Sequence, residues 1–169
     1  MTGRAWVLCR AVISIAAISI AVLWGVGFDA GRAAAQGVPD FAAIVAAPDR
    51  SEADRETDKR RDPVKLLAFT GVRLGMKVLD MGAGGGYSTE LMARSAGPAG
   101  VVYAQNAATI GARAKERFEA RINTPAMKTV VSLIRPFDDP LPADVRDLDL
   151  ITFSSSITTR PTWRSTAPP

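Results

Sequence analysis

Apolar and polar positions change rhythm several times along this chain, and each change marks a predicted element. Ala11 to Phe28 is apolar almost without interruption and shows no polar face. Pro39 to Ala47 has the spacing of a short amphipathic helix, and Asp49 to Asp62 follows as a run of six acids and five bases. Glu56 with Arg60 and Asp58 with Arg61 stand one helical turn apart, which predicts a charged, solvated helix. Asp62-Pro63 reads as an N-cap followed by proline in the first turn, opening a helix through Leu66, Leu67 and Phe69 that stops near Gly71.

Strand and helix signals then alternate. Met76 to Asp80 is a short buried strand, and a glycine cluster follows it. Tyr87 to Ser95 is a helix with Leu91 and Met92 inward, stopped by Gly97-Pro98. Val101 to Ala104 is a second strand, Thr109 to Ile122 a charged amphipathic helix, Lys128 to Leu133 a third strand and Leu148 to Phe153 a fourth. This alternation predicts an α/β fold with a parallel sheet and helices on its faces.

The N-terminus reads as an export signal. Arg4 and Arg10 precede the apolar run, and Ala33 and Ala35 occupy the small positions before a cut at Gln36. The run is also just long enough to span a bilayer, so an uncleaved anchor through residues 11–28 is the alternative. Either form places the rest of the chain in the periplasm or on the outer side of the membrane. No twin-arginine pair is present for export of a folded protein, so a true start further downstream would make the protein cytoplasmic.

Composition narrows the chemistry. With 169 residues the chain holds one domain, by the usual rule of roughly 100–200 residues each. The net charge is +4, but the bases are interleaved with acids, and no basic stripe with aromatics points to nucleic acid. Histidine is absent and Cys9 is the single cysteine. Disulfides, cysteine–histidine metal sites and serine–histidine–aspartate catalysis are therefore excluded, and no metal site is expected.

The informative stretch is Val78-Leu79-Asp80-Met81-Gly82-Ala83-Gly84-Gly85-Gly86-Tyr87-Ser88. A strand ends in an acid and turns through glycines into a helix, beside the sheet edge where open α/β folds bind ligands. A dinucleotide loop requires G-x-G-x-x-G, and its third glycine position is Tyr87 here. A phosphate-cradling loop requires Gly-Lys-Ser/Thr, and no lysine follows. The pattern present is D-x-G-x-G-x-G, Asp80 to Gly86.

That pattern resembles motif I of the class I S-adenosylmethionine-dependent methyltransferases. Together with the Asp-Arg-Glu-Thr-Asp-Lys-Arg-Arg-Asp segment upstream, it looks like a bacterial methyltransferase group with export signals, over residues 40–153. The resemblance implies a Rossmann-like parallel sheet, S-adenosylmethionine as cofactor and an acceptor of unknown identity. It implies that Asp80 holds the methionine end through water, and that Gly82, Gly84 and Gly86 line the methionine and adenosine. The family places an acid after the second strand to accept both ribose hydroxyls, and Asn106 stands at that position, with a turn role as its alternative. An amide lacks the charge that strengthens such a bond. Asp138, in Phe137-Asp138-Asp139, is the corresponding candidate for adenine, again with a turn as the alternative. No catalytic residue is assigned. A sulfonium methyl is already activated, so positioning supplies much of the rate and histidine is dispensable.

Four strands are expected where this fold has seven. The resulting division is residues 1–35 as signal or anchor, 36–75 as N-terminal helices, 76–153 as a partial methyltransferase domain and 154–169 as a tail without apolar period. Read one nucleotide earlier, with TCN serine codons, Ser154 to Ser156 become Phe or Leu and Ile157-Thr158-Thr159 becomes Tyr-His-Asp. Related methyltransferases resemble that reading, which predicts a frameshift near Phe153 and weak or absent cofactor binding. A non-enzymatic remnant without a ligand is the competing expectation. A nicotinamide-dependent oxidoreductase is disfavoured by Tyr87 and by the lack of an acid near Asn106.

Overall fold

The structure is a computed structural model, and it describes residues 37–153. The apolar N-terminal segment and the serine-rich tail lie outside the described residues. Three helices come first: α1 (Phe41–Val45), α2 (Glu52–Arg61) and α3 (Pro63–Thr70). Strand β1 (Lys77–Met81), helix α4 (Tyr87–Ala96) and strand β2 (Val101–Asn106) follow. Helix α5 (Ala112–Ile122), a short 3-10 turn (Pro125–Met127), β3 (Val130–Ile134) and β4 (Leu150–Phe153) complete the order.

Local sequence explains most of these boundaries. Ser51 caps α2 by accepting from the Asp54 amide at 3.2 Å, with Glu52 and Asp54 in the first turn and three bases in the last. Asp62 both ends α2 and starts α3, at φ 45°. Pro63 excludes the right-handed helical region for the residue before it, so the chain breaks there rather than continuing. The expected side-chain cap is not made; the Asp62 carboxylate meets Lys65 at 2.8 Å instead. Gly71 closes α3 with a left-handed turn, at the predicted place.

The four strands are all parallel, in the order β3-β2-β1-β4. The direction of strand addition therefore reverses at β1, which makes the gap between β1 and β4 the switch point where such sheets bind ligands. One sheet face carries Val78, Val102, Val130 and Leu150, covered by Leu91, Met92, Ala93 and Ala96 of α4 and by Leu67 of α3. Helices α1 and α3 thus share one core with the sheet. On the other face Val131, Ile151 and Phe153 are exposed, and the β3-to-β4 crossover over residues 135–149 carries no helix. Among the described residues no helix is long and apolar enough to cross a membrane.

Candidate functional site

The glycine loop lies at the carboxyl edge of β1, and the crevice beside it has a volume of about 1320 Å3. Gly82, Gly84 and Gly85 form one wall, Asn106 the floor at the end of β2, and residues of α2 and α5 the remaining sides. Gly84 has φ +57°, and a Cβ built on it would meet nothing closer than the Gly82 carbonyl at 3.8 Å. The backbone conformation demands glycine there, and the space a side chain would fill is left to the crevice.

The loop is held by side chains from β2. Gln105 accepts from the Gly82 amide at 3.0 Å and donates to the Arg135 carbonyl at 2.6 Å. Asn106 accepts from the Gly84 amide at 2.8 Å. The amides of Ala83 and Gly86 are bonded to the carbonyls of Gln105 and Ala83. Four loop amides are therefore spent internally, and the loop offers a shaped surface rather than the ring of free N–H groups that phosphates need.

Asp80 sits beneath this loop, not on it. The residue is fully buried, and its carboxylate accepts from Ser88 at 3.0 Å, Thr89 at 2.7 Å and Thr152 at 3.2 Å. Burial pushes its pKa up, while the three hydroxyls oppose that shift. A carboxylate so enclosed ties β1 to α4 and β4. Gly86 also lies away from the crevice: a Cβ there would meet Arg121 Cδ at 3.0 Å and Phe118 Cδ2 at 3.1 Å. Its glycine is required by φ +81° and by the approach of α5. Asp138 is exposed and does not line the crevice; its neighbour Phe137 does, stacked edge-on to Phe153 at 5.8 Å over Gly82. Of the six residues predicted from sequence, Gly82, Gly84 and Asn106 share the crevice, and Asp80, Gly86 and Asp138 do not.

The sequence predicts a solvated α2; the structure keeps that on its outer face and buries Asp54 on its inner one. Asp54 is 5% exposed and takes a bidentate contact from Arg121 of α5, with both bonds at 2.7 Å. Arg121 also meets Glu90 of α4 and donates through Nε to the Gly85 carbonyl at 3.2 Å. Glu90 shares Arg94, which reaches Asp49 at 2.8 Å. Asp58 turns inward to Arg50 at 2.6 Å and accepts from the Tyr87 hydroxyl at 2.6 Å. On the outer side Glu56 pairs with Lys59 rather than at the expected spacing to Arg60.

The electrostatics follow from these partners. Burial alone would depress the Arg121 pKa, but hydrogen bonding and charge from Asp54 and then Glu90 raise it overall. Burial would raise Asp54, and Arg121 more than reverses that, so its carboxyl stays below the ordinary range. Pairs of this kind span three helices and carry no local spacing signature, which is why sequence reading missed them.

A parallel sheet in the order β3-β2-β1-β4, with a glycine loop at its switch point, is a Rossmann-like α/β arrangement, present here with four strands. Residues 63–133 match the family model described as protein-L-isoaspartate(D-aspartate) O-methyltransferase. Similar solved structures include a SAM-dependent methyltransferase from Aquifex aeolicus, 25% identical with a TM-score of 0.47, over 68% of this chain and 56% of that one. A protein-L-isoaspartate O-methyltransferase is 21% identical with a TM-score of 0.46, over 53% of this chain and 27% of its own. TrmN from Thermus thermophilus is 24% identical with a TM-score of 0.43, over 53% and 26%. The chain thus spans little more than half of the first of these proteins and about a quarter of the other two. No curated protein matches it.

Proposed function

We propose that the crevice beside Gly82–Gly85 binds S-adenosylmethionine and that the domain transfers its methyl group to an acceptor. The observation that carries this reading is the loop itself: a glycine surface at the β1 switch point where the amides of Gly82, Ala83, Gly84 and Gly86 are satisfied within the chain. Such a surface suits a nucleoside without phosphates better than a dinucleotide or a nucleoside triphosphate, and the family match over residues 63–133 supports the same cofactor.

S-adenosylmethionine held there would supply a sulfonium-activated methyl group for transfer to the acceptor. The chain's part is to hold and orient. Gly82 and Gly84 let the ligand approach the backbone closely. Asn106 spends one lone pair of its amide oxygen on Gly84 and keeps a second for a ribose hydroxyl. The Phe137 ring, rather than Asp138, stands where an adenine would find an apolar contact. The family name suggests a peptide L-isoaspartate as the first acceptor to try. Export or anchoring through residues 1–35 belongs to the same proposal, with mapping of the mature N-terminus as its check.

Titration calorimetry with S-adenosylmethionine tests the binding step. Weak but saturable heat is expected for the wild-type chain and none for Gly84→Val, because a β-branched residue at φ +57° both strains the loop and fills the crevice. Identical traces for the two proteins would reject the site and leave the ligand-free reading.

A further inference from the structure

We propose that Arg121 is the positioning residue of the glycine loop, holding the Gly85 carbonyl in place and thereby pre-forming the crevice wall before any ligand arrives. This rests on the cofactor site proposed above and adds to it a residue with no sequence signal of its own.

The loop needs such a restraint. Gly85 lies between two glycines at positive φ, Gly84 at +57° and Gly86 at +81°. Consecutive glycines have the widest backbone freedom, and on its amide side the peptide carrying the Gly85 carbonyl is tied through the Gly86 N–H to the Ala83 carbonyl at 2.9 Å. Gln105 and Asn106 fix the amides of Gly82 and Gly84 on the sheet side. On the far side the Gly85 carbonyl accepts from Arg121 Nε at 3.2 Å.

Arg121 is itself held from three directions. Its two terminal nitrogens are forked onto Asp54 of α2 at 2.7 Å, one of them also meets Glu90 of α4, and its stem lies against Gly86. Asp54 and Glu90 are each 5% exposed, so removing the guanidinium would strand the Asp54 carboxylate and leave Glu90 to Arg94. Only a planar fork with several fixed donors can serve two carboxylates and a carbonyl together; an ammonium presents a point charge without that geometry. The charged helix α2 therefore acts on the crevice through Arg121, which explains how an acidic and basic segment outside the sheet belongs to the ligand-binding unit.

The test compares Arg121→Lys with Arg50→Lys in the full chain. Arg50 is likewise committed to a pair with Asp58, and its guanidinium lies against the Tyr87 ring, whereas Arg121 bonds the Gly85 carbonyl itself. Both variants are expected to lower the unfolding midpoint. Arg121→Lys should also weaken S-adenosylmethionine binding about tenfold and speed hydrogen exchange at Gly84–Gly86, through lost pre-organisation. Arg50→Lys should leave both within about twofold. Equal effects of the two variants on affinity and loop exchange would overturn the proposal. Should the wild-type protein bind no cofactor, the cofactor reading fails, while loop exchange in the ligand-free protein still decides the role of Arg121. Should Arg121→Lys not fold, Glu90→Gln loosens the same clamp without removing it: faster loop exchange supports the proposal, and unchanged exchange rejects it.

Discussion

The glycine loop rests on two supports of opposite electrical character. Beneath it, Asp80 is enclosed by the hydroxyls of Ser88, Thr89 and Thr152. Beside it, Asp54 is equally hidden but faces the guanidinium of Arg121. Two buried aspartates within one site thus shift in opposite directions: burial raises Asp80, and Arg121 draws Asp54 down. Hydroxyls can satisfy a carboxylate's lone pairs without neutralising its charge, whereas a guanidinium does both. The lower support ties strands to a helix through neutral donors; the lateral support ties three helices together through charge.

The largest expected effect comes from emptying the lower support. Asp80→Ala leaves three hydroxyls without their common acceptor in the core and should cost about 3 kcal/mol in urea denaturation. A cost no greater than that of a surface substitution would mean the hydroxyls find other partners and the support is dispensable.

An acid titration of stability separates the two supports by sign. Asp54 and Asp58 are held low by Arg121 and by Arg50 with Tyr87, against the opposing effect of burial. Their contribution is complete above the unfolded value near 3.8 and is lost as pH falls through the depressed folded values. Asp80 is raised, so its ionisation opposes folding, and its contribution improves as pH falls from the raised folded value towards 3.8. Midpoints measured against pH should therefore lose the steep acid limb in Asp54→Asn, whereas Asp80→Asn should flatten the slope above it. The reverse assignment would show that the charges of the two supports had been misjudged.

The smallest effect is expected where the charged helix does meet water. Glu56 and Lys59 are both largely exposed, and solvent screens their pair. Glu56→Gln should leave the unfolding midpoint within experimental error; a clear drop would make the outer face of α2 part of the lateral support.

Much of the framework was legible in the chain. Leu91 and Met92 point inward as their spacing predicts, and Gly71 and Gly97 stop their helices because each takes a positive φ that other residues resist. Strand boundaries fell within about two residues of expectation, the usual uncertainty at element ends. The candidate site was legible only in part. Asn106 was placed correctly at the end of β2, but its amide braces Gly84 as well as facing the crevice. Phe137 lines the crevice, while its neighbour Asp138 faces solvent.

The alternation of apolar and polar positions, with glycines and prolines as punctuation, determined by itself a parallel α/β unit and a glycine turn at the end of β1. These are local properties, set by side-chain period and by which φ angles a residue tolerates. Tertiary structure alone decided the buried ion pairs between distant helices. Asp54 and Arg121 stand 67 positions apart and meet only because α2 and α5 flank the same loop. A charge in a polar segment carries no mark of whether it will be solvated or buried. That depends on what the folded chain brings opposite it, and here the guanidinium of Arg121 makes the burial of Asp54 tolerable.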